Sequence, residues 1–470
     1  MSIQLVIIVL YFILTILIGL YANKKSKTAN SFHGAGLGIL MCVAAGTGEW
    51  LGGTSTTGIS EYGFTHGISG AWYSLANGIG IIVLAIFFAK LYRSLDTVTV
   101  PGIVEKYVGV NARVVASVLL TFVMIAVGTA QIIAAGTLGV SILGLDFNTA
   151  VTIMGIGFIL YTLAGGMNSI GYTNMMHLVC MYGGTILALI FVSKYIGGFS
   201  TLVAELPADP YFKVTGIGLP KVSSWVIASV LGACTAQAGI QPILAAKDAN
   251  TAKKAAFLTA LVVAPFGILT ALLGMAAKVQ FPELANAKLA LPMLMMNLNP
   301  VIGGIVLASI FAAVLSTVSP IILASGTMFT KDIYQRIFKP EASDKEILLV
   351  SRITTGLAGL FCIVLAIIFY GGTAILDMVY FAYSIRGALF VVLLFAIYWK
   401  LTSQRGATWA MIVTGVVGLF WVVFKAKTGS FPINPGFTET YAAVVAAALS
   451  TVVFSLLLPN NGVKTTRGQV

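Results

Sequence analysis

Long apolar segments with almost no charge follow one another along the whole chain, and they decide what it can fold into. Only 9% of the 470 residues are Asp, Glu, Lys or Arg, and 58% are hydrophobic, whereas a soluble domain has roughly 25% charged residues. A helix of about 20 apolar residues crosses the hydrocarbon core of a bilayer. The pattern therefore predicts an all-α membrane protein and excludes a water-soluble fold.

At about 20 residues for each crossing, the apolar segments predict about 13 transmembrane helices. The first segment has no preceding basic region and no clear cleavage site, so we interpret it as a retained span and not as a signal peptide. The longest polar connection, 200–221, is a loop rich in Pro and Gly, which indicates one membrane domain. The predicted spans are 3–22, 38–63, 67–90, 113–143, 147–165, 172–196, 222–245, 255–277, 299–328, 347–370, 374–399, 407–424 and 440–458.

Lys and Arg cluster in the loops that follow odd-numbered helices, and cytoplasmic loops carry an excess of these residues. This predicts a multi-pass protein of the inner (plasma) membrane with its N-terminus outside and its C-terminus in the cytoplasm. The clusters lack the interleaved aromatic residues of a nucleic-acid surface, so no nucleic-acid partner is expected, and no obligate protein partner is evident. The clusters contain Lys24, Lys25, Lys27, Lys90, Arg93, Lys106, Arg113, Lys247, Lys253, Lys254, Lys331, Arg336, Lys339 and Lys345, with Lys464 and Arg467 in the tail.

The second predicted helix is interrupted by many Gly and Thr residues between positions 44 and 58. Gly costs about 1 kcal/mol relative to Ala inside a helix, so we predict a broken helix whose freed carbonyls bind a cation or a solute. The spacing of Gly48 and Gly52 fits a helix-packing seam equally well. Glu49 favours the functional interpretation, because a charge at membrane depth costs about 2.5–3.5 kcal/mol or more.

Hydroxyl side chains mark one face of the ninth predicted helix, where Ala313, Ser316 and Thr317 lie three and four residues apart. Opposite the carbonyls of a broken helix, they form an all-oxygen site suited to a hard monovalent cation. The structural alternative is that each hydroxyl bonds a carbonyl of its own helix. Pro320 predicts a kink at the same level.

The eleventh predicted helix places Arg386 near the middle of the membrane. It either pairs with Glu49, as a structural contact or a gate, or binds a substrate carboxylate with its guanidinium fork. Two glutamines four residues apart on the seventh helix either line the same pocket or bridge helices. The predicted substrate-binding residues are Glu49, Trp50, Thr54, Gln237, Gln241 and Arg386.

Five short motifs, taken in order, resemble the sodium:solute symporter family over nearly the whole chain. They are Trp50-Leu51-Gly52-Gly53, Thr99-Val100-Pro101, Ala164-Gly165-Gly166-Met167 with Thr173, Ala245-Ala246-Lys247-Asp248 and Ala312-Ala313-Val314-Leu315-Ser316-Thr317. The resemblance implies one transporter domain over 1–470 with a LeuT-like core of two inverted five-helix repeats. The implied parts are an extra N-terminal helix and loop at 1–37, the repeats at 38–196 and 222–399, and two extra helices with a cytoplasmic tail at 400–470.

The resemblance also implies a sodium site that contains the Ala313 carbonyl and the hydroxyls of Ser316 and Thr317. Carbonyls of the broken helix complete it, and two registers are open for them, the preferred one being Cys42 with Ala45 and the other Val43 with Gly46. Many members carry Thr-Asp at the start of the sixth helix, whereas this chain has Thr173-Asn174. Because that carboxylate is missing, we expect one sodium ion per transport cycle.

These observations predict a secondary active transporter that carries a small polar organic solute, a carboxylate or an amino acid among the candidates, together with sodium by alternating access. The expected partners are the solute, sodium and the bilayer, and sodium is a coupling ion in a protein without other cofactors. An enzyme is not expected, since the three histidines are scattered and no metalloprotease or serine-hydrolase motif occurs. The alternatives are a proton-coupled symporter that uses Glu49 and a solute sensor of the same fold that does not transport.

Overall fold

The computed structural model describes residues 2–23, 36–372 and 374–459, and the side chains at 20, 22, 23 and 164–169 lie outside the description. Within these ranges the regular structure is helical, apart from one isolated bridge between Leu37 and Ala246. The predicted all-α class is therefore confirmed. Several basic residues of the charge pattern lie outside the described residues, namely Lys24, Lys25, Lys27, Lys464 and Arg467, as do the side chains of the Ala164–Met167 motif.

The first half of the chain contains a broken helix at the predicted place. Helix α2 ends at Trp50, two residues bend, and a π-helical turn, Thr54–Gly58, leads into α3. The helices in chain order are α1 (Ile3–Asn23), α2 (Ile39–Trp50), α3 (Ile59–His66), α4 (Trp72–Val83), α5 (Ala89–Ser94), α6 (Val100–Tyr107), α7 (Val110–Leu143), α8 (Phe147–Leu163) and α9 (Ile170–Tyr195).

Helices α8 and α9 belong to one helical stretch, Phe147–Tyr195, yet they do not continue each other in a straight line. The hydroxyl of Tyr161 donates a hydrogen bond to the hydroxyl of Thr173, 12 residues further on. In a straight helix, residues at that separation lie about 18 Å apart, at 1.5 Å of rise per residue. The contact therefore shows that α8 and α9 do not share one straight axis.

The second half contains another broken helix, which the sequence did not indicate because the predicted span 222–245 is continuous. Helix α10 ends at Ala233 and α11 begins at Gln237. The remaining helices of eight residues or more are α10 (Leu219–Ala233), α11 (Gln237–Leu244), α12 (Ala249–Gln280), α13 (Pro300–Met328, with a π-helical extension Phe329–Phe338), α14 (Asp344–Phe369), α15 (Ile375–Tyr398), α16 (Gln404–Thr428) and α17 (Glu439–Leu457).

Side-chain caps fix where several helices start, since the first N–H groups of a helix have no partner inside it. Asp146 accepts a hydrogen bond from the Thr149 N–H ahead of α8, at 3.1 Å. Asp248, the last residue of a family-like motif, accepts from the Thr251 N–H ahead of α12, at 2.7 Å. That motif residue therefore has a local structural role as a helix cap.

Ten helical stretches in the described part of the chain are long and apolar enough to cross a membrane, and shorter apolar helices accompany them. The count of about 13 spans and the repeat boundaries 38–196 and 222–399 stay predictions. The two halves of the chain pack into each other, because α12 lies against α2, α3 and α4, and α13 lies against α2, α7, α8 and α9. The centre of the protein is formed where α2 meets α11 and α13.

The contact between α9 and α13 depends on a missing side chain at Gly184. A Cβ there would lie 2.1 Å from Ser309 Oγ, whereas a Cβ at the neighbouring Gly183 would meet nothing within 4 Å. We expect Gly184→Ala to lower the free energy of unfolding by about 1–3 kcal/mol through overpacking. Thermal unfolding of the purified protein in detergent measures this.

The matched control is Gly183→Ala, which adds the same methyl group to the same helix. It is expected to leave the melting temperature unchanged or slightly raised, since Ala favours a helix over Gly. Equal destabilisation by the two variants would contradict the close approach of α9 and α13.

Candidate functional site

The break between α2 and α3 faces the hydroxyl-bearing side of α13. Ser316 Oγ lies 3.3 Å from the Leu51 carbonyl oxygen and 2.8 Å from that of Ala313. Thr317 Oγ1 lies 3.2 Å from the same Ala313 oxygen. The Ser316 hydroxyl has one proton and can donate to only one of the two carbonyl oxygens at a time. A cation bound among these oxygens would interact favourably with both carbonyls and with the hydroxyl oxygen.

Two glycines allow this close approach. A Cβ at Gly52 would lie 2.1 Å from Thr317 Oγ1, and a Cβ at Gly48 would lie 2.5 Å from the Ser316 carbonyl oxygen. No other residue type fits at such distances without moving the backbone of one helix. Gly48 and Gly52 therefore fit both interpretations of the sequence, because they lie at a break in the helix and also pack closely against α13.

A small cavity, too narrow for a water molecule, lies in this contact. Its lining offers hydroxyl, amide and backbone oxygens and contains no carboxylate, which suits a hard monovalent ion better than the divalent ions that carboxylates attract. The lining residues are Ala44, Thr47, Gly48, Leu51, Asn174, Leu178, Met181 and Ser316. We call this cavity the ion gap.

The structure brings Ala313, Ser316 and Thr317 to the ion gap but does not bring Cys42 there. The Cys42 thiol lies 3.2 Å from the Pro242 carbonyl oxygen, on another face of α2. The Ala45 carbonyl lies inside α2, where it accepts the bond of the residue four positions later. The geometry therefore does not support Cys42 and Ala45 as ligands. The carbonyls without a partner inside the helix are those that follow Thr47, whose own carbonyl accepts the Leu51 N–H.

The alternative register of Val43 and Gly46 meets the same objection, because both residues lie in the first eight of the 12 residues of α2. Gly46 also lines a second cavity, of about 270 Å³ of empty space, on the other side of the helix. That cavity has room for about one water molecule. Its lining is mostly apolar and consists of Cys42, Gly46, Trp50, Ile81, Leu84, Gly239, Ile243, Ala255, Ala256 and Thr259.

Glu49 and Arg386 form an ion pair at the centre of the protein. Glu49 Oε1 lies 2.7 Å from Arg386 Nη1, and both side chains are 0% exposed. The guanidinium carbon lies 3.5 Å from the centre of the Tyr383 ring and 5.0 Å from that of Trp50. Two residues predicted from depth alone are thus partners, and two aromatic faces stabilise the cation further.

Thr54 lies in a hydrogen-bonded chain that leads back to the same arginine. Its N–H donates to Gln131 Oε1 at 3.2 Å, and Gln131 Nε2 donates to its hydroxyl at 3.0 Å. The Thr54 hydroxyl also lies 3.0 Å from the hydroxyl of Tyr73, which lies 3.0 Å from that of Tyr383. Sequence reasoning missed Gln131, although a glutamine inside an apolar span was a visible signal.

The two glutamines of α11 lie in different surroundings. Gln237 accepts a hydrogen bond from the Val100 N–H at 2.7 Å and donates to the Val98 carbonyl at 3.3 Å. It therefore holds the start of α6 against α11, and the structure does not bring it to the ion pair. Gln241 is buried one turn further along α11. Trp50 packs over this helix, since a Cβ at Gly239 would lie 3.1 Å from its ring.

A group of charged residues connects the two halves of the chain at one end of the protein. Asp332, on the extension of α13, accepts hydrogen bonds from Thr99 and from Arg113, both at 2.8 Å. Glu105 pairs with Arg113 and with Arg336. Partial burial raises the pKa of Glu105, but hydrogen bonds from the two arginines outweigh it and hold that pKa below its usual value. We call these five residues the arginine cluster.

A smaller group connects the halves at the opposite end. Asp377, near the start of α15, lies 2.9 Å from the Lys221 ammonium and accepts a hydrogen bond from the Tyr62 hydroxyl at 2.6 Å. Glu61 accepts the Ile375 N–H at 3.1 Å and so caps α15. We call Tyr62, Lys221 and Asp377 the lysine cluster. The ion gap and the central ion pair lie between the two clusters along the helices.

A sequence model of the sodium:solute symporter family matches residues 32–414. The chain belongs to this family. Its members are transporters and not enzymes, so the protein is a solute symporter of the membrane. The resemblance drawn from the five motifs is thereby confirmed.

Transporters of Bacillus subtilis (strain 168) resemble the chain along nearly their whole length. The osmoregulated proline transporter OpuE is 25% identical, over 96% of each chain. The high-affinity proline transporter PutP is 26% identical, over 93% of this chain and 96% of its own. The uncharacterized symporter YwcA is 28% identical, over 94% of this chain and 92% of its own.

Solved structures show the same fold for this symporter. A Na⁺-coupled sialic acid symporter in a substrate-bound outward-open state has a TM-score of 0.81 at 20% identity, over 97% of this chain and 98% of its own. Mhp1, a nucleobase-cation-symport-1 family transporter, has a TM-score of 0.61 at 14% identity, over 93% and 96%. MhsT in complex with L-phenylalanine has a TM-score of 0.58 at 15% identity, over 90% of this chain and 99% of its own. The predicted LeuT-like fold is confirmed.

Removing one member of the central ion pair should damage the symporter more than removing both. We expect Glu49→Leu or Arg386→Met alone to cost about 3–5 kcal/mol of stability, because the remaining charge is buried without a partner. The double variant should lose much less, since apolar side chains replace the whole pair. Thermal unfolding of the four proteins in detergent gives the comparison. Additive losses in the double variant would show that the pair is not coupled.

Proposed function

We propose that this symporter moves a small polar organic solute across the plasma membrane together with sodium, by alternating access. The observation that supports this most is the convergence of the broken helix on Ser316, at 3.3 Å from the Leu51 carbonyl. Oxygen ligands without a carboxylate fit an alkali ion better than a proton carrier or a divalent metal. The fold shared with a Na⁺-coupled symporter agrees with it.

The proposed sodium ligands are the carbonyls of Gly48, Leu51 and Ala313 and the hydroxyls of Ser316 and Thr317. Gly48, in the last turn of α2, and Leu51, directly after it, replace Cys42 and Ala45, because carbonyls at the end of a helix have no partner four residues on. Sodium there connects α2, from the first half of the chain, with α13 from the second. A site that exists only when the two helices are close favours one conformation by its differential affinity.

One sodium ion per cycle remains our proposal. Asn174 lies beside the ion gap and donates a hydrogen bond from Nδ2 to the Ser316 carbonyl at 3.2 Å. An amide that donates to this carbonyl cannot supply the negative charge of the aspartate found in many members. The flux ratio of sodium to solute in proteoliposomes measures the stoichiometry, and a ratio of two would contradict it.

The proposed solute pocket lies around the central ion pair and contains Glu49, Trp50, Thr54 and Arg386. Gln131 and Tyr383 join this set because they hold Thr54 and the guanidinium in place. Gln241 stays in it as predicted, and Gln237 is reassigned to holding α6. In the orientation that the loop charges predict, the lysine cluster closes the outer end and the arginine cluster closes the cytoplasmic end, with the N-terminus outside.

Sodium dependence of solute uptake tests the proposed ion site. We expect Ser316→Ala to raise the sodium concentration for half-maximal uptake roughly tenfold or more, because the sodium ion loses one of its proposed oxygen ligands. The double variant with Thr317→Ala should lose sodium stimulation. Proteoliposomes with an imposed sodium gradient and a mixture of labelled solutes give the measurement.

Ser325→Ala is the matched control, since Ser325 is a buried serine of the same helix whose hydroxyl bonds the Ile321 carbonyl, away from the ion gap. It should change the sodium concentration for half-maximal uptake less than about twofold, because the hydroxyl that is removed bonds only a carbonyl of its own helix. Uptake driven by a pH gradient in sodium-free buffer would instead favour Glu49 as a proton carrier. Solute binding without uptake would favour a sensor.

A further inference from the structure

Several buried polar atoms around the central ion pair have no hydrogen-bond partner in the part of the chain that the structure describes. They are Glu49 Oε2, Arg386 Nε and Arg386 Nη2. Both residues are 0% exposed. Buried polar groups are nearly always hydrogen-bonded, so three unpartnered atoms of one ion pair indicate a place where another molecule binds.

The unpartnered atoms of Arg386 lie on one edge of its guanidinium. Glu49 binds Nη1 only, at 2.7 Å, and so leaves the edge formed by Nε and Nη2 without a hydrogen-bond partner. Two parallel N–H groups on such an edge match the two oxygens of a carboxylate. The free edge of Arg386 therefore has the shape of a carboxylate site.

The unpartnered oxygen of Glu49 has the opposite requirement. A carboxylate oxygen accepts hydrogen bonds and cannot donate them, and here it is buried beside a cation that Oε1 already binds. An ammonium group supplies both the missing donor and a positive charge. The free edge of Arg386 therefore matches a negative group and the free oxygen of Glu49 a positive one, and a single bound molecule can carry both.

Asn77 adds a neutral polar group to the same region. Neither its amide nitrogen nor its oxygen has a hydrogen-bond partner among the described residues, and it is 0% exposed. It lies on α4 one turn after Tyr73 and one turn before Ile81, so the three side chains share a face. Tyr73 contacts Tyr383 beside the guanidinium, and Ile81 lines the cavity under Trp50.

The surroundings of these polar atoms are apolar and aromatic. Tyr383 and Trp50 lie over the guanidinium, and the second cavity beneath Trp50 is lined mostly by aliphatic side chains. A molecule bound here needs a charged head group for the ion pair and no more than a small apolar body, since the cavity has room for about one water molecule. Neutral sugars, which are covered with hydroxyl groups, fit this lining poorly.

Resting on the proposed transport function, we infer that the solute is a zwitterion of the amino-acid type, with a small apolar side chain. Its carboxylate binds the Nε and Nη2 edge of Arg386, its ammonium binds Glu49 Oε2, and Asn77 bonds the head group. A carboxylate without an amine would lie next to Glu49 with no cation between them. An amine without a carboxylate would leave the guanidinium edge unfilled.

Ligand-induced thermal stabilisation of the purified full-length protein tests the substrate class. The probes are the twenty standard amino acids and matched sets: L-proline with pyrrolidine and cyclopentanecarboxylate, and L-alanine with ethylamine and propionate. We expect at least one amino acid to raise the melting temperature in sodium buffer, and its amine and acid counterparts to have no effect. Stabilisation by a lone carboxylate, by a lone amine or by glucose, or by none of the amino acids, would overturn the inference.

Variants connect the effect to the named residues. The double variant Glu49→Leu with Arg386→Met is expected to fold and to lose the amino-acid shift completely while it keeps the shift caused by sodium alone. Asn77→Ala should weaken the apparent affinity on the order of tenfold. Thr414→Ala, a buried threonine of α16 that bonds its own helix, should keep the wild-type affinity.

The results separate this inference from the proposed sodium coupling. An amino-acid shift that survives in the Glu49→Leu, Arg386→Met protein would contradict the ion-pair site and leave sodium coupling standing. An amino-acid shift that is lost there but is independent of sodium in the wild type would support the zwitterion site and contradict the sodium coupling.

Discussion

The contact of an interrupted helix with an intact one determines the centre of this protein. At Gly48, in α2, and at Gly52, in the break after it, the backbone approaches α13 so closely that no Cβ fits between them. The approach brings the carbonyl oxygens of the broken helix to the hydroxyls of Ser316 and Thr317. The same interruption carries Glu49 to Arg386, so Gly48 of the ion gap and Glu49 of the central ion pair are neighbours along α2. A change in the position of the broken segment must move both.

Much of the fold was visible in the sequence because apolar segments of membrane length leave few alternatives. The first broken helix was predictable from the density of Gly and Thr around Glu49. The second was not, since the break at 234–236 consists of Cys, Thr and Ala, which a helix tolerates. Tertiary contacts hold it open instead: Tyr92 donates a hydrogen bond to the Cys234 carbonyl, and Thr235 donates one to the Arg386 carbonyl. Such contacts come from distant helices.

The candidate site was predictable in its charged and hydroxylated residues but not in its backbone ligands. Glu49, Arg386, Ser316 and Thr317 stand out because polar groups at membrane depth are costly. Which carbonyls are free depends on where the hydrogen-bond ladder of α2 ends, and glycine content does not fix that residue. Asn77 escaped notice for another reason, since a single amide in an apolar helix looks unremarkable until its partners are sought in space.

The arginine and lysine clusters differ in how far water reaches them. Asp332 is 0% exposed and its partner Arg113 15%, whereas Lys221 and Asp377 are 33% and 36% exposed. Ion pairs open to water contribute little to stability, and breaking a buried pair is costly. Separating the helices at the lysine end therefore requires less free energy than separating them at the arginine end. In the proposed alternating-access cycle, the balance between the two end states thus depends on charged residues away from the central ion pair. Substitutions there are expected to shift that balance and to leave the proposed solute pocket unchanged.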